Sequence, residues 1–109
     1  MHPLRLLSCF VGGALLMNAL PHLVSGVMGR KFPTPFAKPP GKGLSSAQVN
    51  MLWGFGNLVA AWLLLRWAGR IDLENTAQVV SLALGMLLLG LFTARHFGGL
   101  NGGRGPDPA

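Results

Sequence analysis

Half of the 109 residues are hydrophobic and only 11% are charged, whereas a soluble domain carries about 25% charged residues. A net charge of +6 would point to nucleic acid on a soluble chain. On one this apolar it serves topology and contact with anionic lipid headgroups, and no nucleic-acid partner is expected. Three acidic residues and a single cysteine exclude an internal disulfide and leave little material for acid–base catalysis.

The charges are segregated. Residues 6–29, 43–65 and 75–94 contain no Asp, Glu, Lys or Arg. A helix crosses a hydrocarbon core of ~30 Å with about 20 apolar residues, so each stretch is long enough to span. A soluble bundle would show polar faces at a 3.6-residue period, which these stretches lack. The expectation is an all-α integral membrane protein with three transmembrane helices at about 6–28, 46–65 and 75–94. They form one membrane domain, 1–97, followed by a disordered Gly/Pro-rich tail, 98–109.

The first segment has the basic residue and apolar run of a secretion signal, but no small-x-small cleavage site follows. "LLSC" at 6–9 resembles a lipoprotein box with too few residues ahead of Cys9. The segment is therefore read as a membrane anchor, with Cys9 a packing residue. Inside it lies "NALPH", 18–22. Pro21 removes the hydrogen bond to the Met17 carbonyl and predicts a kink. Asn18 and His22, four residues apart, share a helix face. Ser8 and Gly12 have the spacing of small residues at a helix contact.

"GRKFPTPFAKPPGKG", 29–43, follows with four prolines and four cations, which predicts extended or polyproline-like backbone. Arg30, Lys31, Phe32, Phe36, Lys38 and Lys42 form a candidate surface for anionic lipid or a protein partner. "PPGKGLSS" lacks the spacing of a phosphate-binding loop. Segment two opens with Ser45 and Gln48 in capping-box positions. Its Trp62 and Trp67 suit a headgroup region. Asn50, Gly54, Asn57 and Ala61 follow spacings of a single face. In "RWAGRIDLEN", 66–75, Gly69 ends one helix, and Asp72, Glu74 and Asn75 start the next. Gly85 and Gly90 in segment three are five apart and read as ordinary membrane glycines.

Segments one and two are expected to form an antiparallel hairpin around the Pro-rich loop. With the loop centred near residue 36, His22 falls at the depth of Asn50, and Asn18 within a helical turn of Asn57. Asn18, His22, Asn50 and Asn57 are thus the candidate intramembrane polar cluster. An intramembrane histidine can mark a proton path, but no acidic residue lies inside any segment to relay with it. His2, His22 and His96 share no metal-ligand spacing. No metal or cofactor is expected, and no catalytic set can be assembled.

Lys and Arg counts favour an N-terminus outside and a C-terminus in the cytoplasm, across an inner membrane. Arg5, Arg66 and Arg70 lie on one side; Arg30, Lys31, Lys38, Lys42, Arg95 and Arg104 lie on the other. The leading functional expectation is a small non-enzymatic accessory or assembly subunit, acting through helix packing and its cytoplasmic loop. Across this reading and its alternative, the expected partners are the lipid bilayer and either another membrane protein or a second copy of the chain. The alternative is an oligomeric transporter or pore whose polar path is lined by His22 and the intramembrane asparagines.

Overall fold

The computed structural model describes residues 2–103; Arg104 and the rest of the tail lie outside the described residues. The chain is mostly helical, and three of its helices are long and apolar enough to cross a membrane. Helix α1 covers Pro3–Val27, and two short strands follow, β1 (Phe32–Pro33) and β2 (Leu44–Ser45). Helix α2 covers Ala47–Leu63 and continues as one π-helical turn, Leu64–Ala68. Helix α3 covers Thr76–Asn101. At 1.5 Å per residue, the spans of 25, 22 and 26 residues are each about 33–39 Å long, more than a ~30 Å hydrocarbon core.

Each helix begins where a side chain accepts an otherwise unpaired backbone N–H. His2 Nδ1 takes the amide of Leu4 at 3.1 Å, with Pro3 at the first helical position, where its missing N–H costs nothing. Asn75 caps α3 by accepting from the Gln78 amide. The start of α2 departs from expectation. Ser46, not Ser45, is the cap and accepts from Val49. Gln48 therefore sits one residue too early to complete a capping box.

The helices pack through glycine. Helix α1 lies between the other two and runs antiparallel to α2. Gly54 of α2 sits against Leu23 and the Ala19 carbonyl, and Gly26 of α1 sits against Ala47 and Met51. Helix α3 runs in the same direction as α1. Gly13 of α1 lies on the Leu82 carbonyl, and Gly85 of α3 lies on the Phe10 carbonyl. A Cβ at either position would collide with backbone. Gly85 is therefore a crossing point of two helices, not the ordinary membrane glycine that its spacing implied. Near this crossing Ser81 Oγ donates to the Leu6 carbonyl at 2.6 Å.

Helix α1 runs through Pro21, which lies inside it as the 6–28 segment has it. Two other stretches differ from the sequence reading. Within 29–43 the only strand is β1, which pairs antiparallel with β2 just beyond the stretch, Phe32 opposite Ser45. Between them the chain turns, and the Thr34 carbonyl accepts from both Ala37 and Gly41, with Gly41 at φ +72°. Helix α3 also continues through Gly98 and Gly99 to Asn101, so the tail does not begin at 98. Phe97 packs on Phe32 with ring centroids 4.6 Å apart. That contact, with the His96 bond described below, fastens these last turns until Gly102 ends the helix at φ +80°.

Candidate functional site

The site lies where the ends of α1 and α3 meet the start of α2 and the folded loop. Asn50 organises it. This fully buried residue donates from Nδ2 to the carbonyls of Phe32 (2.9 Å), Ser45 (3.2 Å) and Ser46 (3.0 Å). Three carbonyl partners fix which end of the amide carries the nitrogen. Its Oδ1 must then accept, and it faces His22 Nδ1 at 2.7 Å. His22 therefore carries its proton on Nδ1, because an amide oxygen can only accept. One amide thus links α1, both strands and the first turn of α2.

A second pair lies deeper between α1 and α2. Asn18 Nδ2 donates to Asn57 Oδ1 at 3.0 Å, and Asn57 Nδ2 donates to the Trp53 carbonyl. The structure therefore joins the four cluster residues as two pairs, Asn18 with Asn57 and His22 with Asn50. Among the described residues, no buried side-chain nitrogen or oxygen lacks a partner.

Aromatic rings close the site. Phe32 and Trp53 present edges to the His22 ring, with centroids at 5.5 and 6.5 Å. Of the two loop aromatics, Phe32 thus turns inward onto His22 and Phe97, while Phe36 stays exposed and stands edge-on to Trp53. The cations Arg30, Lys31, Lys38 and Lys42 are all exposed. No known protein family, curated protein or solved structure matches this chain.

Several contributors carry no pairing signal in the sequence. Thr34 and Ser45, both buried, share a hydroxyl–hydroxyl hydrogen bond that closes the base of the loop. Thr34 Oγ1 also accepts from the Phe36 amide. His96 Nε2 donates to the Gly41 carbonyl at 2.7 Å, pinning the tip of the loop to α3. Between loop and helices remains a cavity of about 160 Å³, lined in part by Asn18, His22, Trp53, Thr93, His96 and Phe97. At the other end of the bundle, buried Gln78 accepts from the Asp72 amide and donates to the Gly69 and Arg70 carbonyls. It holds the α2–α3 connection closed, including Arg70 at φ 46°. A glutamine three residues after a capping asparagine was the available clue.

Proposed function

We propose that this protein is a non-enzymatic accessory or assembly subunit of an inner membrane, with α1 and α2 as a transmembrane hairpin. It acts through helix packing and through its loop. The observation that carries this reading is the set of side-chain hydrogen bonds that ties α1, α2 and the loop together. Asn50 uses both ends of its amide to tie helices to loop, and His22 Nδ1 is committed to Asn50. Bonds of this kind serve helix register and loop shape, and among the described residues no acidic side chain is bonded to His22 as a proton relay would need. What they build is a loop of defined shape that presents Phe36, Pro35, Pro39 and Pro40 outward, the kind of stiff aromatic and proline surface that docks a protein partner.

The cation count supports an N-terminus outside and this loop in the cytoplasm. The test is extraction of the full-length protein in mild detergent, with mass analysis of what remains attached. A stoichiometric membrane-protein partner, lost when Phe36 is changed to Ala, is the expected result. A homogeneous homo-oligomer without a partner would overturn it.

The second reading, an oligomeric transporter or pore, draws on the cavity beside His22 and His96. Its consequence is distinct. Transport by such a carrier would lose its pH dependence in His22→Gln, which still hydrogen-bonds but cannot become charged.

A further inference from the structure

The loop cations do more than lie on a surface, because one of them is brought beside a cation from a distant part of the chain. The His96–Gly41 hydrogen bond sets Lys42, the next residue, against the last turns of α3. There Lys42, Arg95 and His96 share a cavity of about 410 Å³ with Phe92, Gly99 and Leu100. We propose that this cavity binds the phosphate headgroup of an anionic phospholipid, with its acyl chain descending along Phe92 and the outer face of α3.

Lys42 and Arg95 are both exposed, and among the described residues no carboxylate lies at this end. The acidic residues among those described, Asp72 and Glu74, lie at the opposite end of α2, a span of 22 residues away, about 33 Å at 1.5 Å per residue. Two full positive charges outweigh the roughly half negative charge that the α3 C-terminus contributes. A guanidinium offers paired donors to phosphate oxygens, and an ammonium adds a point charge.

The apolar side of the cavity argues against a free ion. Phe92, with Leu88 and Leu91 in the preceding turn, is exposed, so the cationic floor continues into a bare hydrocarbon-facing stripe. Phosphate above and acyl chain below is the chemistry of a glycerophospholipid at an interface. His96 is a positioning residue here, since its Nε2 is committed to Gly41 and its role is to bring Lys42 to Arg95. This inference rests on the membrane-spanning reading but not on the accessory role.

The test uses the full-length protein in mild detergent, with native mass spectrometry after titration with dioleoyl phosphatidylglycerol or dioleoyl phosphatidylcholine. Wild type is expected to retain phosphatidylglycerol at least several-fold over phosphatidylcholine. Lys42→Gln with Arg95→Gln should abolish that preference. Arg66→Gln with Arg70→Gln, at the other end, should leave it intact. His96→Leu should weaken the preference while Lys42 and Arg95 are both still present, which simple loss of charge would not predict. A melting curve in the same detergent checks that each variant is folded; the exposed glutamine substitutions are expected to leave it unchanged. Equal retention of both lipids, or a preference that survives the Lys42/Arg95 change, overturns the proposal. So does inorganic phosphate displacing the lipid at millimolar concentration, because the ligand would then be a soluble anion. A partner protein that co-purifies while lipid preference is absent would refute this site and leave the accessory reading standing.

Discussion

Replacing Asn50 with Leu, a side chain of similar size, separates the polar content of the cluster from its packing. The substitution removes the acceptor of His22 Nδ1 and the donor shared by the Phe32, Ser45 and Ser46 carbonyls. Ser46 is least affected, because the backbone amide of residue 50 still donates to it at 3.0 Å. The His22–Asn50 bond between helices contributes ~0.6–1.7 kcal/mol by the averages for membrane proteins. Each buried group left without a partner costs about 1–3 kcal/mol before relaxation. Partners found in the unfolded, membrane-inserted state offset part of this, so a net loss of about 3 kcal/mol is expected, roughly a hundredfold in the unfolding equilibrium. Asn57→Leu removes only the Asn18 bond and a bond within its own helix, and should cost about 1 kcal/mol. The assay is unfolding by SDS in mixed micelles, followed by Trp53 fluorescence with Trp62 and Trp67 changed to Phe. Trp53 stands edge-on to both His22 and Phe36, so it reports on the cluster and loop together. If Asn50→Leu lies within about 0.5 kcal/mol of the parent, or costs no more than Asn57→Leu, the amide is not the organising group.

Four further outcomes follow from the same geometry. Gly85→Leu should separate α1 from α3 at a cost of about 1–3 kcal/mol or more, because the added side chain meets the Phe10 carbonyl; loss of disulfide formation between cysteines at 6 and 81 in a Cys9→Ala background would report it. In that same background, cysteines at 18 and 57 should cross-link while a pair on the outer faces, at 20 and 58, should not. Gln78→Leu should open the 69–75 connection, costing about 1–3 kcal/mol, seen as faster amide hydrogen exchange confined to that segment. Finally, a cysteine at Lys38 should react with a membrane-impermeant maleimide only after the cell membrane is breached, and labelling of intact cells would reverse the assigned orientation.

The three helices long and apolar enough to cross a membrane are legible because that capacity is a property of composition: an uncharged run of sufficient length needs no knowledge of its neighbours. The two cross-helix pairs need one added idea, a reversal near residue 36, since equal depth on facing helices then selects His22 with Asn50 and Asn18 with Asn57. What lay beyond reach is of another kind. Ser46 rather than Ser45 caps α2 because Ser45 is drawn into the pairing with β1 and Thr34, a tertiary preference that a local motif does not contain. Gly85 fails the GxxxG spacing because its counterpart, Gly13, is on another helix and each meets a carbonyl instead of a second glycine. The fold of the 29–43 loop is equally hidden. Its prolines forbid helix, but its shape depends on His96, fifty-five residues away along the chain.

These long-range ties have a common placement. In the first half of α1 and α3 the closest contact is made by glycine against carbonyl, which permits close approach but cannot by itself define register. Directional bonds are placed toward the ends: Ser81 to Leu6 and Gln78 to the α2–α3 connection at one end, His96 to Gly41 at the other. Polar groups near the ends of a span cost less to desolvate than groups at its centre, so register is fixed where fixing it is cheapest. The exception is the Asn18–Asn57 pair between α1 and α2. Helix α2 has no comparable tie to α3, and its position depends on α1 and on the loop through Asn50. Loosening Asn50 should therefore disturb the loop and α2 together while α1 and α3 remain joined through Ser81 and the glycine crossing, a division that hydrogen exchange along the chain would display.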